Sequence, residues 1–154
     1  MPPRRLLLPL LVLPLLPAAA GCGGKGRVLD FQIPGVREAW VARANRICAD
    51  RAAAVRRLPT PRTQADLLDA GARIVSLQDL EYSRLAATHP LVRDRDRLSS
   101  LLASIRRIQR GIERVRSALT LHDASELAAA RAALAAARRD ANAESRALGL
   151  GCRH

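Results

Sequence analysis

Large aromatic side chains are almost missing from this chain: Phe31, Trp40 and Tyr82 are the whole set. That excludes a base-stacking platform for single-stranded nucleic acid and an aromatic-walled ligand pocket, since both draw on several rings. Lysine is reduced to Lys25, so the 26 basic residues are otherwise arginine. An arginine excess follows from GC-rich coding as readily as from an anionic partner, and the net charge of +12 does not choose between them. Histidine and cysteine number three each, with no C-x-x-C pair, so the common zinc spacings are absent. Ser-His-Asp or Cys-His chemistry finds no support either, because the histidines fall at helix boundaries. There is also no uninterrupted apolar run of the roughly 20 residues that a bilayer core requires.

What the chain does have starts at its N-terminus. Met1 to Arg5 carries two positive charges, Leu6 to Leu16 is almost wholly apolar, and Pro17 to Gly21 is small, which is the order of an export signal. Pro9, Pro14 and Pro17 would break a spanning helix, so residues 1–21 are expected to be removed. Two cleavage points are open: before Cys22, or after the A-x-A-like Ala18-Ala19-Ala20. The tetrad Ala19-Ala20-Gly21-Cys22 resembles the lipobox of bacterial lipoproteins, a family that usually has Leu where this chain has Ala19. The resemblance implies that Cys22 is acylated and becomes the first residue, anchoring the protein outside the cell membrane; if the lipobox is not used, the protein is secreted. Two or more acyl chains anchor stably where one does not, at about 0.8 kcal/mol per buried methylene. Residues 22–34, with Gly23, Gly24 and Gly26, would then form a flexible tether whose Lys25 and Arg27 can rest on anionic headgroups.

Removing Arg4 and Arg5 with the signal lowers the net charge from +12 to +10. Cys48 and Cys152 are then an even pair in a chain sent to an oxidising compartment, and a disulfide is expected. Closing a loop of roughly 100 residues contributes about 4.7 kcal/mol in the chain-entropy account. The rival arrangement, a metal site built on Cys152 and His154, lacks further ligands at a suitable spacing, so no metal and no cofactor is expected.

Residues 35–154 read as one helical domain. Val36, Trp40, Ala44, Ile47, Cys48, Val55 and Leu58 recur mainly at three and four, giving a first helix near 36–58 that Pro59 and Pro61 stop. A second, near 61–88, is expected to open near Pro61 with Thr60 or Thr63 as cap and to bury Leu67, Ile74, Leu77 and Leu85. A third, near 90–120, would start at Pro90 and carries the clearest pattern, with Leu98, Leu101, Ile105, Ile108, Ile112, Val115 and Leu119 spaced alternately by three and four. The fourth, near 123–148, opens on the capping-box-like Asp123-Ala124-Ser125-Glu126. Its seam of Leu127, Ala130, Leu134, Ala137, Ala141 and Leu148 is mostly alanine, and Gly149 ends it.

Short links make these helices antiparallel neighbours, so the fold class predicted is all-α, an up-down-up-down four-helix bundle. One tension stays open. Cys48 lies about 18 Å along the first helix from Val36, beside which the fourth helix should end. Either the tail climbs back along the first helix, or that helix is displaced or broken near Cys48.

The strings Ala44-Asn45-Arg46-Ile47-Cys48 and Leu148-Gly149-Leu150-Gly151-Cys152 are similar to those of small disulfide-bonded lipoproteins and secreted proteins of high-GC Gram-positive bacteria. Those proteins carry an Ala-Asn-x-x-Cys helix and a Leu-Gly-Leu-x-x-Cys type of end, whereas here one residue follows Leu150 before the cysteine. The resemblance implies export, the disulfide and a helical bundle, and it implies no activity.

Asp94 and Glu144 fall on apolar seams and are the candidates for a buried acid, but no second titratable group accompanies either, so catalysis is not expected. Arg106, Arg107, Arg110 and Arg114 share the outer face of the third helix, either as a solvated face or as a strip for an anionic envelope polymer or lipid headgroups. The function expected is a membrane-tethered, extracytoplasmic helical module that contacts an envelope protein and has no enzyme activity, with anion binding as the alternative. Nucleic acid is not an expected partner of an exported chain with so few aromatics.

Overall fold

The computed structural model describes residues 35–154. The export signal, the lipidation site Cys22 and the tether expected over 1–34 lie outside the described residues. The described chain is the predicted four-helix bundle: α1 (Val36–Arg56), α2 (Gln64–Ala86), α3 (Arg95–Thr120) and α4 (Ala124–Leu148).

Two helix starts differ from expectation, and each has a local cause. Thr63, one of the two caps expected, opens α2 at Gln64 rather than at Pro61: its hydroxyl accepts from the Asp66 amide at 3.1 Å while the Asp66 carboxylate accepts from the amides of Thr63 and Arg62 at 3.0 Å. This reciprocal box satisfies amides that helix geometry leaves without partners, and it leaves Pro61 outside. Pro90 does not open α3 either. A single 3-10 turn, Val92–Asp94, comes first and carries the Asp94 carboxylate inward, where Arg37 donates to it at 3.1 Å. At α4 the Asp123 side chain accepts from the Glu126 amide at 2.9 Å, but Glu126 does not reach back; it pairs with Arg114 at 2.8 Å instead.

The helices alternate in direction. Arg37 at the start of α1 also donates to the Leu148 carbonyl at the end of α4, 3.1 Å away, so these termini and the start of α3 form one end of the bundle. At the other end Gln64 of α2 donates to the Leu119 carbonyl of α3 at 2.8 Å.

Packing is unequal along the axis. Near the first end, Trp40, Ala44, Ile47, Leu85, Leu98, Leu101, Ile105, Ile108, Ala141 and Leu148 form a continuous buried core. Burying each large aliphatic among them stabilises the fold by about 1.5–3 kcal/mol. Trp40 is fully accommodated there, its indole N–H donating to the Thr88 hydroxyl at 3.0 Å. Towards the second end the same stripes thin out: Leu67, expected to be buried, is 44% exposed, and Val55, Ile74, Val115, Leu119 and Leu134 are only half-buried. Val36, in the first turn of α1, is exposed as well.

The alanine seam of α4 leaves a gap along the bundle, and the tail makes it unequal. Ala130, Ala137 and Ala141 let α4 lie close on α3, and Gly111 permits the tightest approach, since a Cβ there would sit 3.1 Å from the Leu134 Cβ. Side chains that short do not reach across to α1 and α2. The gap is filled at one end by the C-terminal tail and is left open at the other.

Candidate functional site

The tail answers the tension in the sequence: it climbs back along α1, which is unbroken. Gly149 takes the left-handed conformation (φ 76°), its amide donates to the Arg146 carbonyl at 3.0 Å, and the Leu150 amide donates to the Ser145 carbonyl at 2.8 Å. This is a Schellman turn, and glycine suits it because it adopts positive φ without a Cβ clash. The reversed chain buries Leu150, donates from the Gly151 amide to the Asn45 side chain at 2.7 Å, and joins Cys152 to Cys48 with the Cα atoms 5.1 Å apart. Both short strings singled out in the sequence therefore meet as the two halves of one docking joint.

One turn further along α1 lies a polar cluster. Arg51 donates to Glu81 at 3.2 Å, to the Arg153 carbonyl at 2.6 Å and to His154 Nδ1 at 3.2 Å. The Asn142 side chain holds the His154 amide at 3.0 Å. Burial raises the pKa of Glu81, and the Arg51 guanidinium opposes the rise. His154 is pushed down to about 4, first by burial and then by the charges of Arg51 and Arg138. It is therefore neutral near pH 7, and its 3.7 Å approach to Glu81 is not an ion pair there.

Glu81 is thus a buried acid outside the two candidates, and it lies deeper than Asp94, which is buried as expected. The sequence held a signal for Glu81: the α2 stripe skips from Leu77 to Leu85, and Glu81 occupies the vacant position four residues before Leu85. Asp94 is buried too but is tied to Arg37 at 3.1 Å, with Arg93 at 3.9 Å. Glu144 is part-exposed and lies 4.0 Å from Arg97. The structure brings neither of them to another acid.

Donor atoms of Cys48, Glu81 and Cys152 lie within 4.8 Å of one another. With the two sulfurs bonded to each other, Glu81 is the one ionisable donor of that group.

The arginine face of α3 is largely occupied. Arg106 pairs with Asp79 at 2.6 Å and lies over the Tyr82 ring, 3.9 Å from its centroid. Arg107 pairs with Asp140 at 3.0 Å and Arg114 with Glu126 at 2.8 Å. Arg110 is the member of the four for which no described residue provides an ion pair.

The remaining feature is the open end. Between α1, α2, α3 and α4 lies a cavity of about 390 Å³, walled by Val55, Leu58, Leu67, Ile74, Ile112, Val115, Leu119 and Leu134 and bordered by Thr60, Arg116 and Arg138. Its size is that of a small-ligand site, and its walls hold no carboxylate, histidine or cysteine. Arg116 is fixed at the rim, donating to the Leu68 carbonyl at 3.0 Å and to Glu113 at 2.6 Å. Its aliphatic stem lies against Gly71, where an added Cβ would come within 2.9 Å. None of this cavity was expected from the sequence, where its walls read as ordinary core.

No described helix is long and apolar enough to cross a membrane, and the disulfide is the state expected of an oxidising compartment. Comparison with protein-family models, with curated proteins and with solved structures finds no match to this chain.

Proposed function

We propose that this protein is an exported, membrane-tethered binding module that acts through the open end of its bundle and catalyses no reaction. The observation that carries the proposal is the uneven packing: one half is filled, with the crosslinked tail running along it to mid-helix, while the other keeps an apolar cavity open to solvent. A stable domain gains by closing such a space, so leaving it open costs apolar contacts that a bound partner would restore. The absence of titratable groups other than arginine from its lining supports binding rather than chemistry. The tether reading rests on the Ala19-Ala20-Gly21-Cys22 tetrad. It would join the bundle at Gly35, and α1, at 21 residues, sets the cavity about 30 Å from that point.

The alternative, an anionic polymer or lipid headgroups on the α3 arginines, gains less, because Arg106, Arg107 and Arg114 already face acids on neighbouring helices. A photoreactive residue in place of Leu67, at the open end, should capture a defined species in intact cells. The same residue in place of Val92, which is exposed at the packed end, should not. Equal labelling from both positions would contradict the proposal.

A further inference from the structure

The geometry points to a single-chain fatty acid as the occupant of the open-end cavity, its alkyl chain between the helices and its carboxylate on Arg138. This inference rests on the binding-module reading and names its ligand class. The walls are aliphatic from all four helices and offer almost no hydrogen-bonding side chain, so the body of the ligand must be apolar. Its lack of aromatic side chains argues against a flat, ring-based ligand. The charges at the border are guanidinium groups, so a polar head must be anionic. Arg116 is engaged by the Leu68 carbonyl and by Glu113, whereas Arg138, whose charge also reaches His154, has no carboxylate partner among the described residues. A planar guanidinium matches a carboxylate with two parallel hydrogen bonds.

The half-buried Leu67, Val115 and Leu134 would then be covered by methylenes rather than by water. The distance between the cavity and the tether joint favours a free acid, which can leave a bilayer, over a lipid that remains in it.

The test uses the full chain carrying Cys22→Ser, with its disulfide intact, and methyl-detected NMR titrations with decanoate, dodecanoate, tetradecanoate and dodecanol below their micellar concentrations. Saturable binding is expected, tightening about fourfold per added methylene, with shifts concentrated at Leu67, Ile74 and Leu134 and little change at Leu98 and Ile105. Arg138→Gln should weaken dodecanoate about tenfold and leave dodecanol unchanged. Ala70→Trp, which fills the cavity from α2, should abolish binding of both. Equal affinity for decanoate and tetradecanoate, or shifts spread over both ends, would overturn the inference. So would Arg138→Gln weakening the acid and the alcohol alike. If dodecanoate fails to bind while the Leu67 photoprobe captures a protein in cells, the fatty acid is wrong and the binding module stands. If both fail, the module reading falls with it.

Discussion

Breaking the Cys48–Cys152 bond by Cys152→Ser should produce the largest stability loss of any single change in the tail. The bond spans a sequence separation of 104, for which loop-closure entropy predicts about 4.7 kcal/mol, and native disulfides usually contribute at least about 2. A folded domain of 120 residues, 35 to 154, has an unfolding entropy of about 0.25 kcal/mol/K, so the melting temperature should fall by about 8 to 19 °C. The fold itself should survive, because the Schellman turn, buried Leu150 and the Gly151–Asn45 hydrogen bond still dock the tail. Calorimetry on the oxidised protein, on Cys152→Ser and on the Cys48→Ser/Cys152→Ser double variant measures the effect. The double variant should lose little more than the single one, since both remove the same constraint. Urea unfolding of Cys152→Ser should give a steeper slope than the oxidised protein, because its denatured chain is less confined. A fall below about 5 °C, or a double variant that loses about twice as much as Cys152→Ser, would refute the reasoning.

Glu81→Ala should cost about 3–5 kcal/mol by leaving the largely buried Arg51 without its carboxylate, and chemical denaturation at neutral pH reads it directly. Stability should fall on acidification, because His154 titrates near 4 in the fold against 6.5 unfolded: its full contribution stands above pH 6.5 and is lost as pH drops through 4, about 3 kcal/mol in all. Glu81, with a raised pKa, acts in the opposite sense, its contribution present below 4.5 and withdrawn as pH rises above that value, so His154→Gln should flatten the acid limb of a urea stability profile. His122 sits at a φ of 54° in the turn between α3 and α4, so His122→Gly should raise stability by about 1 kcal/mol in thermal melts.

Much of the scaffold is visible in the residues alone. The alternating three-and-four spacing of Leu98 through Leu119 announces α3, and Asp123 and Gly149 mark the ends of α4. Cysteine arithmetic identifies the pair that the structure joins. Helix starts are less legible where signals compete: Thr63 is visible as a cap candidate beside Thr60 and Pro61, and its reciprocal box with Asp66 decides among them, while the Asp94–Arg37 pair displaces the start that Pro90 suggests. The cavity was not legible at all. Leu67, Val55 and Leu119 carry the same periodic signature as true core residues, and whether a stripe is covered depends on how far the facing helix reaches. Here Gly111 draws α4 towards α3, and whether the gap that remains is filled depends on where the tail runs, which the sequence left open. Glu81 and Arg51 were legible in principle, since both occupy seam positions that apolar residues would otherwise hold.

The central claim is that one end of this bundle is locked and the other is built to be filled. Native-state hydrogen exchange, followed amide by amide, tests it most directly. Amides of Ala44, Ile105 and Leu148 should exchange only through global unfolding, while those of Val55, Gly71 and Val115 should open at least about tenfold more often, a difference of about 1.4 kcal/mol. Equal protection at the two ends, or slower exchange at the cavity than at the disulfide, would contradict the account.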